Sequence, residues 1–390
     1  MTDHRPDSPV LADLAGDWKS AYVHVPFCRR RCPYCDFAIV DESSAGSLDH
    51  DRYVDALVAE IGMESDFGPL DAVNFGGGTP SRLDPSRLRQ VIGALDDRFG
   101  IAPGAEISLE VNPEDWSDTF GDGLVSAGFT RMSIGAQSFD PVVLDALGRL
   151  HTEEMIETTV AGAKSHGIRS VGVDLIFGHP AESAASWSRT IERAMEIGVD
   201  HISTYSLTVE PGTDLSRQIG AGAPPPDDDA QADRYEQFEE LSRRHGFVRY
   251  EISNHAQQGH VCRYNLATWA HGEYVAFGIG AHDHRWGTRA RNHQRSDRYM
   301  EAIARGERPR LGVENLTPEQ QERDRLMVGL RLAAGTPMTA AAVRFADSLE
   351  GHRFLDTGIL EVANDRMRVV DPMMTDAVIR DALSVSAGDC

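Results

Sequence analysis

Three of the chain's five cysteines fall within eight positions, as Cys28, Cys32 and Cys35 in "VHVPFCRRRCPYCDFAIV". A disulfide consumes two thiols and a structural zinc site takes four ligands, so an odd three points to other chemistry. Thiolates suit zinc or an iron–sulfur cluster. Three of them on a four-iron cluster would leave one iron open to a small molecule. The competing arrangement is a Cys3His zinc site completed by His24, which falls inside the first predicted strand. The motif follows that strand directly, where barrel enzymes carry their reactive loops.

A second segment, "NFGGGTPS" (74–81), follows the next apolar run. Its glycines permit backbone conformations and close approaches that a side chain forbids. It lacks the Lys-Ser/Thr pair of a P-loop and is no GxGxxG turn. Polar residues then recur at or near later strand ends: Glu110 in "EISLEV", Gln137 after "RMSIGA", Arg149 in "LGRLHT" and Asp174 within "VGVDLIF". On one face of a barrel, such carboxylates would accept bonds from ribose hydroxyls, and the guanidinium would pair with a carboxylate.

The elements that must position them alternate. Short apolar runs at 21–25, 72–76, 106–111, 131–136, 170–178 and 201–209 are separated by segments of helical spacing such as 52–65 and 85–99. Strand and helix in alternation predict βαβ units and a parallel sheet. Six units predict an α/β fold built as an incomplete (β/α)6 barrel, with added strands at 248–253, 273–281 and 288–293. The stretch "AGAPPPDDDAQ" reads as a surface connection into a helix at about 231–245. From "TPEQQERDRLMVGLRLAAG" (317–335) a capped amphipathic helix opens a small unit. Further helices and a hairpin around Asn364 and Asp365 make that unit winged-helix-like. The expected division is a tail over 1–19, the barrel over 20–250, a barrel extension over 251–315 and the small domain over 316–390.

The bulk composition narrows the partners. The formal net charge is −23, from 38 basic against 61 acidic residues. That argues against sequence-independent nucleic-acid binding, which needs Lys and Arg to neutralise phosphates. No run approaches the roughly 18 apolar residues of a membrane span, so no stable membrane insertion is expected. The first twenty residues show no secretory pattern, and Cys262 and Cys390 complete no disulfide framework. A cytoplasmic location is expected.

Along residues 20 to 385 the run "YVHVPFCRRRCPYCDF … NFGGGTPS … LEVNPE … RMSIGAQSFD … LGRLH … VDLIFGHP … YSLTVEPGT … YEISNHA" resembles the HemN/HemW branch of the radical S-adenosylmethionine (SAM) superfamily. The resemblance implies a [4Fe–4S] cluster on Cys28, Cys32 and Cys35, whose open iron takes the methionine part of SAM. It implies SAM contacts from Tyr22, Gly77, Gly78, Thr79, Glu110, Gln137, Arg149 and Asp174, with Tyr34 as the aromatic residue before the last cysteine. A reductant must feed the cluster.

Dehydrogenases of the branch carry a further cysteine two places after the third, and here that position is Phe37. The resemblance therefore implies a heme chaperone that binds heme and passes it to acceptor proteins. The alternative is an oxygen-independent coproporphyrinogen III dehydrogenase. Chaperones of the branch carry an HNxxYW segment, whose histidine is implicated in heme binding. The aligned stretch here is "CRYNLATW", with Tyr264 in place of the histidine. Tyr264, Cys262 and His282 are the candidate heme ligands, with His260, His271 and His284 as further options.

Overall fold

The computed structural model describes residues 5–44 and 48–385, so Cys390 lies outside the described residues. Every apolar run named above forms a strand. The strands in chain order are β1 (Ser20–Val25), a short β2 (Phe27–Cys28) paired with β3 (Val40–Asp41), β4 (Leu70–Gly77), β5 (Ile101–Val111), β6 (Arg131–Gln137), β7 (Ser170–Phe177) and β8 (His201–Ser206). There follow β9 (Val248–Glu251), β10 (Asn254–Ala256), β11 (Tyr274–Phe277), β12 (His282–Arg285), β13 (Thr288–Asn292) and β14 (Arg310–Asn315). The small unit holds β15 (Thr336–Pro337), β16 (Leu360–Ala363) and β17 (Arg366–Val369).

One twelve-stranded sheet takes the order β14-β13-β12-β11-β1-β4-β5-β6-β7-β8-β10-β9. β1 and β4 through β8 run parallel in sequence order, which gives the expected six-unit partial barrel. β11 pairs parallel with the outer side of β1, so the parallel stretch is one strand longer than expected. The helices at His50–Gly62, Pro85–Phe99, Asp118–Ala127, Glu153–Ser165, Ala184–Glu196 and Asp228–Arg244 connect these strands. Their apolar stripes, including Tyr53, Leu57, Leu88, Leu95, Val160 and Trp187, join the strand residues Val23, Phe75, Leu109, Val173 and Ile202 in one core. Burying each such side chain contributes roughly 2 kcal/mol.

Three boundaries differ from expectation. Residues 1–19 are not simply a tail, because Pro9–Gly16 is a helix capped by Ser8, with Ala12 and Ala15 buried. The division at residue 250 falls inside β9, which pairs antiparallel with β10. The helix predicted across 317–335 covers only Pro318–Gly329, although its capping box, Thr317 with Gln320, is formed. It stops where Gly329 packs on Thr336, whose Oγ1 would lie 2.6 Å from any added Cβ. The small unit has its own core around Leu326, Phe345, Met367 and Val378. Its sheet runs β15-β17-β16, and the hairpin turns through Asn364 and Asp365, both at positive φ.

Candidate active site at the strand ends

The loop after β1 is held by the residues between its cysteines. Arg29 pairs with Asp115 at 2.8 Å, Arg30 donates to the Gly148 carbonyl at 3.1 Å, and Arg31 reaches the carbonyls of Cys35 and Phe37 at 3.0 Å. The three arginines thus tie the loop to the β5 end, to the segment after β6 and to itself. Their position between Cys28 and Cys32 is the sequence signal for that role.

Below the loop, "GGG" serves close approach. A Cβ on Gly76 would lie 2.5 Å from the Glu110 carboxylate, and one on Gly78 would lie 2.6 Å from the Pro26 carbonyl. Gly77 adopts φ 107°, and a Cβ there would meet the His24 ring at 2.3 Å. Both nitrogens of that ring are engaged, Nδ1 with the Tyr22 hydroxyl at 3.1 Å and Nε2 with the Ala38 carbonyl at 2.9 Å. With both ring nitrogens so engaged, the arrangement disfavours His24 as a fourth metal ligand of a Cys3His site. Among the described residues, no three His, Cys, Asp or Glu side chains gather as around a single metal ion. A cubane needs no such gathering, since each thiolate binds a different iron.

A cavity of about 460 Å³ opens at these strand ends. Its walls include Cys28, Cys32, Cys35, Tyr34, Gly77, Gly78, Thr79, Glu110, Gln137, Arg149 and Asp174. Residues spread over 147 positions of sequence are brought to one wall by the parallel sheet: Gly77, Glu110 and Gln137 stand at the ends of their strands, Asp174 lies within β7, and the cysteines and Arg149 stand on segments that follow β1 and β6. Tyr22 is the exception among the predicted SAM contacts: it does not line the cavity, and its ring stacks on Tyr264 instead.

The cavity's electrostatics are those of buried groups. Burial, reinforced by the Asp174 charge, pushes the Glu110 carboxyl up to about 7. The Asp174 carboxyl is also pushed up by burial, against hydrogen bonds from Ser203 and from Ser133, the latter at 2.9 Å. Arg149 donates to Cys32 Sγ at 3.6 Å, to Asn112 Oδ1 at 2.5 Å and to the Gly135 carbonyl at 3.0 Å. Cys28 Sγ lies 3.4 Å from Thr79 Oγ1. Burial raises the Cys28 thiol to about 11, so a bound cation is needed to favour its thiolate. Gln137 holds φ 65°, a strained value for a non-glycine residue, at the very end of β6. Asn112, Glu114 and Tyr205 also line this wall, and Ser133 stands behind it on Asp174, though no motif singles them out in the sequence.

The Radical SAM superfamily signature matches residues 22–209. A heme chaperone HemW of Mycobacterium tuberculosis is 36% identical over 381 residues, covering 96% of this chain and 97% of its own. The chain belongs to the HemN/HemW branch of the radical SAM superfamily. A HemW of Synechocystis is 38% identical, covering 81% of this chain and 78% of its own. The coproporphyrinogen III oxidase HemN of Escherichia coli superimposes with a TM-score of 0.82, covering 96% of this chain and 92% of its own. At 20% identity that likeness shows the fold alone. Membership of this superfamily implies a [4Fe–4S] cluster and SAM.

The candidate heme ligands lie elsewhere. The helix Arg263–Trp269 plugs the opposite end of the barrel, where the strands begin. There Arg131, first residue of β6, donates to the His260 carbonyl at 2.6 Å, and Arg263 N donates to Glu106 at 2.8 Å. Tyr264 packs between Tyr22 and Tyr274, and burial holds its phenol well above the usual range. Cys262 is buried in an apolar cluster with Ala12, Tyr250 and Leu332, its thiol pushed up to about 12. A phenol and a thiol so placed keep their protons and face protein, which disfavours both as heme ligands. His282 is exposed at the start of β12 and does not line the cavity. Among the described residues, no helix is long and apolar enough to cross a membrane.

Proposed function

We propose that this chain is a heme chaperone of HemW type, binding heme and passing it to acceptor proteins. In this reading Cys28, Cys32 and Cys35 hold the [4Fe–4S] cluster, and a separate reductant feeds it. When bound, the cluster supplies an open iron for SAM and an electron able to split the sulfonium. Gly77, Gly78 and Thr79 cradle the amino group, Arg149 pairs with the SAM carboxylate, and Glu110 and Asp174 accept from the ribose hydroxyls. Gln137 orients the ligand from the end of β6. Tyr22 acts indirectly, by holding His24 against Gly77.

The observation that carries the chaperone reading is Phe37. It stands where the dehydrogenases of the branch have their extra cysteine, lines the cavity and is 59% exposed. Leu150, 48% exposed, lines the same cavity. Apolar side chains left in water at a cavity mouth suit a flat apolar ligand. The heme of this proposal rests on that rim.

Anaerobic reconstitution followed by parallel titration with SAM, hemin and coproporphyrinogen III tests the reading. Saturable hemin binding without turnover of the porphyrinogen is expected. Steady multiple-turnover loss of carboxylates from coproporphyrinogen would instead make the chain a dehydrogenase.

A further inference from the structure

Asn112 stands at the N-cap of a short 3-10 turn, Pro113–Asp115, yet its side chain makes no cap hydrogen bond. Thr79 stands in the same position before Pro80–Arg82, and it too makes none. Both are residue types that ordinarily cap. Their side chains turn instead to each other and to the cysteine loop. Asn112 Nδ2 donates to Thr79 Oγ1 at 3.2 Å, and Asn112 Oδ1 accepts from Arg149 at 2.5 Å. Beyond them, Thr79 Oγ1 meets Cys28 Sγ and Arg149 Nη1 meets Cys32 Sγ. A side-chain relay therefore runs from Cys28 through Thr79, Asn112 and Arg149 to Cys32.

The chemistry of the relay is directional. A guanidinium only donates, so the oxygen of the Asn112 amide must face Arg149 and its nitrogen must face Thr79. The threonine oxygen then accepts from the amide, and its own proton is free for Cys28 Sγ. A thiolate bound to iron can only accept, which this arrangement satisfies. Gly135 leaves the space, since a Cβ there would lie 3.2 Å from Asn112 Oδ1 and 3.3 Å from Arg149 Nη2.

We propose that Asn112 is a positioning residue that aims one hydrogen-bond donor at each of two cluster thiolates, Cys28 and Cys32, and so raises the cluster's reduction potential. It lines the cavity wall and acts on the two thiolates through Thr79 and Arg149. The inference rests on the cluster reading above and adds to it a residue and a direction of effect. Hydrogen bonds to cluster sulfurs are one of the means by which a protein sets the potential.

An aspartate at 112 is isosteric but accepts only. It keeps Arg149 in place and draws the Thr79 proton away from Cys28. The test compares wild type, Asn112→Asp, Thr79→Val and the double variant, each reconstituted anaerobically without SAM. EPR-monitored redox titration and resonance Raman spectroscopy are the readouts. Both single variants should shift the midpoint potential negative and raise an Fe–Sγ stretching frequency. The double variant should shift less than the two single shifts added, because both remove the same donor. Asn112→Ala, which also releases Arg149, should weaken SAM binding by about tenfold. If wild type assembles no four-iron cluster, the cluster reading falls and this inference with it. If wild type assembles one but Asn112→Asp and Thr79→Val leave potential and Raman bands unmoved, the positioning role alone is wrong.

Discussion

Tyr264 stacks on Tyr22, with ring centroids 6.1 Å apart and planes 26° from parallel, although the two residues are 242 positions apart. Tyr22 in turn holds His24, and the His24 ring lies where a side chain on Gly77 would have to go. The plug at one end of the barrel is thus joined by aromatic packing to the glycine segment at the other.

From this packing, Tyr264→Phe should leave the absorption spectrum of bound heme unchanged, since the ring stays and no phenolate is removed. Tyr264→Ala should destabilise the protein by about 3 kcal/mol through the lost aromatic packing. Hemin titration and urea unfolding measure the two effects. A shifted Soret band in Tyr264→Phe would return the tyrosine to the list of ligands.

Glu110 gives a pH dependence whose sign can be worked out. Its folded pKa, about 7, lies above the ordinary carboxyl value of 4.5, so the folded state binds the extra proton. Cofactor-free protein therefore loses stability as pH rises from about 4.5 through about 7, by roughly 3 kcal/mol at most for this one group. Glu110→Gln should remove that loss, raising the melting temperature of cofactor-free protein at pH 8 and changing it little at pH 4.5. Calorimetry at the two pH values decides.

Gly77 combines a positive φ with a His24 ring in the space of any side chain. Gly77→Ala should cost about 2 kcal/mol or more and displace the ring from its bonds to Tyr22 and Ala38. Urea denaturation measures the first. An altered histidine ring NMR signal reports the second, and a variant as stable as wild type would contradict the close approach.

Thr317 and Gln320 form the capping box that opens the small C-terminal unit. Thr317→Ala should lower that unit's stability by about 1 kcal/mol, while Thr317→Ser should keep most of it. Hydrogen exchange of the amides at 319–329 reads the difference locally.

Residues that act through their immediate neighbours were legible from the amino-acid order. Cys28, Cys32 and Cys35 lie within one loop, and "GGG" states its own need for space. The alternation of strand and helix implied that Glu110, Gln137, Arg149 and Asp174 would share one end of a parallel sheet, and they line one cavity. Asn112 was not legible, because an asparagine before a proline reads as an ordinary cap. Only its distance to Arg149, which the segment after the helix Pro141–Ala146 brings back to the end of β5, shows that its amide is used elsewhere. The same holds for the packing of Tyr264 and Cys262. Sequence by itself determined which residue types carry the chemistry, because spacing and strand periodicity are local properties of the chain. Tertiary structure decided which of them meet, which face the cavity and which are spent on packing. Those outcomes depend on contacts between segments far apart in sequence, where register and burial choose the partner.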